Sequence, residues 1–209
     1  FYKAGLTSVT IPANVTYIGE LCFTACDKLT DIEVAADNAY YASVDGVLYD
    51  KSCKKLITCP AGMTGSYEVP NTVTSFAFAA FESSQLSDIS IPSDTKLTTI
   101  GYRAFFKCAN LESIDIPDAV LGIEAYAFAY CDKLTTVNIG TASQLGGIYK
   151  GAFYNCSSLA GIYIPADVQE ISDYAFYGNT ALTDVTFADN SELKGIYAHA
   201  FEYAGHIDI

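Results

Sequence analysis

Apolar residues recur along this chain in a single frame. Leu111, Ile114 and Ile116 lead to Pro117, then Val120 and Ile123, then the pair Ala127-Phe128 and finally Cys131. The frame returns at Leu6, Val9, Ile11, Pro12, Val15, Ile18, Phe23 and Cys26, and again at Leu86, Ile89, Ile91, Pro92, Leu97, Ile100, Phe105 and Cys108. Three further copies end on Phe153, Phe176 and Phe201. Repetition at this period is the mark of a stacked architecture. The small variation in length falls between the Pro position and the next aliphatic, at Ser93–Lys96 and Thr141–Gln144. A constant frame with slack at one place predicts a coil with an outward loop there.

Each copy translates into elements. In Leu-x-x-Ile-x-Ile the two Ile share one face of an extended chain, so a short half-buried strand is expected. The Pro after it lacks an N–H and ends the strand. Val-x-x-Ile starts the return path. The Ala-Phe pair and the Cys three residues after Phe fit one turn of helix, where such positions share a face. One coil cannot bury its own apolar face, so neighbours must stack. The expected fold is α/β: a right-handed solenoid of about seven coils of 23–25 residues, with short parallel strands on one face. At strand spacing it would form a rod of roughly 35 Å.

The frame is interrupted once. Phe23 and Phe81 stand 58 positions apart, more than two periods. Val47-Leu-Tyr49 and Leu56-Ile-Thr58 read as two strands about a turn at Asp50–Lys54. A β-hairpin inserted at about 37–66 is expected, with a loop rich in Tyr and Asp near 38–45. The whole, 1–209, is expected to be one repeat domain. Because the chain starts at Phe1 inside a repeat, it is expected to be a piece of a longer protein.

Composition narrows the partners. Half of the residues are hydrophobic (51%), enough to build a core, and the net charge is −13. Such a charge repels nucleic acid and anionic membrane surfaces and attracts basic partners. No run reaches the length of a membrane-spanning helix.

The string I-P-x-x-V-x-x-I-G-x-x-A-F-x-x-C-x-x-L resembles the BspA-like, or Treponema pallidum type, leucine-rich repeat, and the resemblance covers nearly the whole chain. The phrase S-V-D-G-V-L-Y-D-K around Asp45 also recurs in relatives of that family, which makes the hairpin a shared structural module. The resemblance implies a surface or secreted bacterial protein, several relatives being implicated in adhesion. The family pattern contains no catalytic residues.

Candidate chemistry is sparse. Cys26, Cys108, Cys131 and Cys156 occupy one repeat position. Sites in a line roughly 5 Å apart do not make a tetrahedral zinc cage, although neighbours lie within reach of a disulfide. Asn179 and Ala204 stand at the same position, so a small buried thiol filling a corner is the simpler reading. Cys53 and Cys59 flank a hairpin strand and are either free or bridged. The Tyr residues cluster at the Ala-Phe turns, where each ring is expected to cover a coil edge. No Ser/His/Asp grouping, phosphate loop or metal motif is found, so neither enzyme activity nor a cofactor is expected.

The free positions of the strands remain. Asp31, Glu33, Asp88, Ser90, Asp115, Asn138, Tyr163 and Asp184 point outward, toward the concave face that solenoids use for binding. The alternative is an ordinary solvated surface. These positions suit a basic protein segment, or a calcium ion, and the expected partner is a host or bacterial surface protein contacted by a monomer. A structural spacer with no ligand of its own is the competing expectation.

Overall fold

The computed structural model describes residues 1–206. The expected start of a further coil at Ile207-Asp-Ile209 lies outside them. In chain order the strands are β1 (Ser8–Ile11), β2 (Asp31–Val34), β3 (Tyr41–Val44), β4 (Val47–Asp50), β5 (Lys55–Thr58), β6 (Thr64–Glu68), β7 (Ser75–Phe76), β8 (Gln85–Ser90), β9 (Thr99–Ile100), β10 (Ser113–Ile116), β11 (Gly122–Ile123), β12 (Thr136–Ile139), β13 (Gly147–Ile148), β14 (Gly161–Ile164), β15 (Glu170–Ile171), β16 (Asp184–Phe187) and β17 (Gly195–Ile196).

The chain winds as a parallel β-solenoid. From β2 onward each coil lays down one long strand and, later in its path, one short strand. The long strands pair in parallel with matching repeat positions, as in Ile114↔Val137 and Ile162↔Val185. The short strands form a second ladder, β9 through β17, in which Ile100, Ile123, Ile148 and Ile171 lie side by side. Inward residues of both ladders, with the Leu and Val between them, are buried through the middle of the rod, whereas Ile196 in the last short strand is exposed. The ladder Phe residues form a stack through the middle of the core. Phe81, Phe105, Phe128, Phe153, Phe176 and Phe201 follow one another at centroid distances of 4.9–5.2 Å, with nearly parallel rings.

The α part of the expected fold class is corrected. Among the described residues there is no helix. The Ala-Phe segment is a run of tight turns with two left-handed residues, two positions before and two after each Phe: Arg103 and Lys107, Tyr126 and Tyr130, Tyr174 and Gly178. Bonds such as Ala104 N–H to the Gly101 carbonyl and Cys108 N–H to the Phe105 carbonyl close the turns. The left-handed residues have a structural effect. They swing alternate N–H groups along the rod axis, so that Arg103, Phe105 and Lys107 donate to the carbonyls of Ala125, Ala127 and Ala129 one coil on. A helix would spend those donors within itself. Stacking thus wins over local helix propensity. Gly178 takes the second of these positions at φ +72°, a conformation that glycine adopts without the steric cost borne by Lys107 and Tyr130 at the same place.

The interruption holds more structure than its sequence suggested. The β4–β5 hairpin forms, antiparallel about Asp50. Tyr41–Val44, expected as loop, is strand β3 and pairs antiparallel with β4 through a turn at Asp45-Gly46. Buried Asn38 fixes its start: the side-chain amide donates to the carbonyls of Pro12 and Val15 at 2.8 and 3.0 Å, while Oδ1 accepts from the N–H of Tyr40 and Tyr41. A complete coil is also hidden here. Its long strand is β2 and its short strand β5, which pairs in parallel with β7. Cys59 donates its N–H to the Ala80 carbonyl, the bond that ladder Phe residues make elsewhere. Cys59 therefore stands where other coils have Phe, and its coil turns in two residues fewer than the Ile100–Phe105 stretch.

Candidate functional site

The free positions of the long strands form the surface where function is expected. Alternation puts Ile89, Ile114 and Val137 in the core and leaves Asp88, Ser113 and Thr136 exposed. Parallel pairing then lines up equivalent positions of successive coils. One row runs Ser66, Asp88, Ser113, Thr136, and the adjacent row Glu68, Ser90, Asp115, Asn138. Ser66 and Glu68 escaped the sequence reading. Their signal was present in the phrase Tyr67-Glu-Val69-Pro70, whose two apolar residues point inward and hence leave Glu68 facing out.

The structure brings Asp88, Ser90, Asp115 and Asn138 into one patch. A shallow depression is lined by Asp88, Ser90, Ser113 and Asp115, and another by Ser90, Asp115 and Asn138 with Pro92 and Pro117 at its edge. Asn138 donates to Asp115 Oδ1 at 2.7 Å, which orients that carboxylate. Asn138 also borders a third depression with Tyr163, Asp184 and Thr186, so these residues continue the patch. Thr186 donates to Asp184 Oδ1 at 3.2 Å.

Asp31 and Glu33 are not part of this patch. β2 pairs with β1 but not with β6. The hairpin wedges between them: Ile32 N–H donates to the Gly46 carbonyl, and a Cβ at Gly46 would lie 2.8 Å from Asp31 Oδ1. The turn at Asp45-Gly46 thus covers Asp31.

The face carries carboxylates, hydroxyls and amides, and no Lys or Arg occupies any of its outward positions. Among the described residues, no group of three or more His, Cys, Asp or Glu side chains is arranged to hold a metal ion.

The cysteine ladder belongs to the core. All seven cysteines are free thiols, so Cys53 and Cys59 are not bridged. Cys108, Cys131 and Cys156 each donate to the carbonyl of the Phe one coil earlier at 3.0–3.1 Å. Asn179 replaces Cys in the next coil, and its Oδ1 accepts from the Cys156 N–H at 2.9 Å. The tyrosines line the turn edge as expected. Tyr154 stacks on Tyr177 at 4.7 Å, and Tyr174 on the His199 ring at 4.9 Å. No helix of the described residues is long and apolar enough to cross a membrane.

Comparison with known proteins agrees with this geometry. The model of the BspA type leucine rich repeat region matches in 6 copies, over residues 1–58, 63–183 and 146–208. A leucine-rich repeat protein from Eubacterium ventriosum superposes with a TM-score of 0.87 at 23% identity, over 100% of this chain and 61% of that one. A leucine rich cell surface protein from Faecalibacterium prausnitzii is similar at 26% identity and a TM-score of 0.59, over 91% of this chain and 52% of that one. The pneumococcal vaccine antigen PcpA is similar in fold, at 24% identity and a TM-score of 0.58, over 88% of this chain and 40% of that one. The chain therefore spans less than two thirds of the length of each of these structures. A search of curated proteins found no match.

Proposed function

The chain belongs to the BspA-type leucine-rich repeat family, and from that premise we propose that it is a non-catalytic adhesion module of the bacterial surface or exterior that holds a basic protein segment against its long-strand face. Solenoids of this kind are interaction scaffolds whose repeated strands present one extended surface. The observation that carries the reading is the charge of that surface: Glu68, Asp88, Asp115 and Asp184 lie along it with no cation among its outward positions. Carboxylates of one sign on a rigid sheet steer a basic partner and raise its on-rate. The location is supported by the similarity to the Faecalibacterium prausnitzii cell surface protein.

The test is a binding screen against host extracellular-matrix and bacterial surface proteins. Asp88→Asn, Asp115→Asn and Asp184→Asn combined should weaken capture of the partner at least tenfold and flatten its salt dependence. If the triple variant binds as well as the parent, the strand face is not the site. If nothing binds at all, the chain is a spacer.

A further inference from the structure

A second surface runs along the turn edge of the rod. The ladder Phe residues fill the core, but the turns beside them carry a row of rings that the core does not enclose. Phe78, Tyr102, Tyr126, Tyr154, Tyr177 and Tyr203 touch in succession, each on the coil after the last, at centroid distances of 4.7–6.4 Å. Tyr102 is 47% exposed and Tyr203 64%, and the rings between them are half-buried. A contiguous aromatic surface open to solvent marks a contact site. Tyr suits such a site because two torsions place a rigid ring with a polar tip at low entropic cost.

The rings do not form a flat shelf. Tyr154 and Tyr177 lie face to face, 8° from parallel. On either side of that pair the next ring turns: Tyr126 meets Tyr154 at 60°, and Tyr203 meets Tyr177 at 86°. Each turned pair makes an open corner between the face of one ring and the edge of the other. The two corners stand two coils apart along the rod, about 9.5 Å at strand spacing. Charge here differs from that of the strand face. Glu82 pairs with Arg103, Glu202 bonds His199, and Asp173 accepts the Ala198 N–H. The edge therefore presents ring surfaces and phenol hydroxyls, which donate, rather than a row of free carboxylates.

We infer that this tyrosine edge binds a proline-rich peptide segment in the polyproline II conformation. The repeat lengths decide it. That helix rises about 3.1 Å per residue with three residues per turn, so every third residue recurs at about 9.3 Å, the separation of the two corners. An α-helix repeats at about 5.4 Å and the same-side residues of a strand at about 6.7 Å, and both fall out of register within two coils. The chemistry agrees. A polyproline II main chain makes no internal hydrogen bonds and its prolines carry no N–H, so it offers carbonyl acceptors to the phenol donors. Aromatic-lined grooves take such segments by seating proline rings between aromatic rings. An extended glycan stacks on open ring faces, whereas Tyr154 and Tyr177 cover each other's inner faces. This site is separate from the acidic strand face and does not rest on that reading.

Fluorescence anisotropy of a labelled oligoproline of about twelve residues, four turns of its helix, tests the inference on the intact chain. Binding should saturate, and a flexible Gly/Ser peptide of equal length should bind roughly tenfold more weakly. Tyr203→Ala, at an exposed position, should weaken oligoproline binding roughly fivefold with an unchanged thermal midpoint. Tyr203→Phe keeps the ring and should recover most of that loss. Tyr154→Ala removes a wall of one corner and the support of the other and should weaken binding further. A peptide with prolines at every third position should bind more tightly than one with prolines at every fourth. Asp88→Asn with Asp115→Asn should leave oligoproline binding unchanged, so failure at the strand face and failure here are read apart. The inference is overturned if oligoproline binding does not saturate, if Tyr203→Ala binds like the parent, if the two proline spacings bind alike, or if a β-linked glucan oligosaccharide occupies the tyrosine edge and oligoproline does not.

Discussion

The thiol of Cys131 donates a hydrogen bond of 3.1 Å to the main-chain carbonyl of Phe105, one coil earlier. The ladder N–H groups bond the carbonyls on either side of each Phe, while the Phe105 carbonyl accepts the Cys108 N–H within its own turn and takes the thiol as a second donor from the next coil. A small side chain with one polar hydrogen makes that second bond in a fully buried corner. Cys131→Ala should therefore lower stability by about 1–2 kcal/mol, the sum of a lost hydrogen bond and a small void. Cys131→Ser keeps a donor and should recover part of the loss. Urea denaturation followed by far-UV circular dichroism reads the difference.

The same burial governs thiol chemistry. Burial pushes the thiols of Cys131 and Cys156 well above their usual range and that of Cys59 up to about 12. Thiolate is the reactive form, so these three should resist alkylation in the folded protein. Mass spectrometry after brief iodoacetamide treatment at mildly alkaline pH should find the half-buried Cys22 and Cys53 modified first. Equal labelling of all seven sites would contradict the packing described.

Phe128 stacks between Phe105 and Phe153, at 4.9 and 5.2 Å. Phe128→Ala removes a ring from the middle of a continuous column, and neighbouring coils cannot collapse into the space without breaking their ladders. The expected loss is about 3–5 kcal/mol. Phe201 meets one ladder ring, Phe176, so Phe201→Ala should cost less. A comparison of the two midpoints in chemical denaturation checks this, since coils contribute through nearest-neighbour interfaces.

Asp50 organises the turn between β4 and β5. Partial burial pushes its carboxyl upward. The N–H groups of Lys55 and Lys54 and the Ser52 hydroxyl outweigh that effect and hold it below its usual value. Oδ1 accepts from Lys54 and Lys55 at 2.8 and 2.9 Å. A lowered folded value means that its stabilising contribution is present above the unfolded carboxyl pKa and is lost as pH falls through the folded one. The amides of Lys54 and Lys55 should accordingly lose protection, measured against their intrinsic exchange rates, on acidification below about pH 4. Asp50→Asn should remove this pH step.

Much of the molecule was legible in its sequence. Strand positions follow from Leu-x-x-Ile-x-Ile because alternation on an extended chain is a local property. The buried role of the cysteines followed from Asn179 and Ala204 at the same repeat position. The turns were misread as helical, because Ala and Phe three residues from Cys fit a helix locally. What overrides them is the axial ladder, a contact between residues about 23 positions apart that no local window contains. The coil with Cys59 in place of Phe was hidden for the same reason: its place in the column is defined by its bond to Ala80, not by its side chain. Asp31 and Asp88 looked equivalent on the repeat frame, yet the hairpin turn at Gly46 sits over one and leaves the other open.

The sequence by itself determined the solenoid, its period, its core and the alternation that turns carboxylates outward, since each rests on a repeated local pattern. Only the tertiary structure decided which outward residues share a surface and how the turns bond from coil to coil. Both depend on how one irregular coil packs between regular ones, and packing across coils is set by chain paths rather than by residue type.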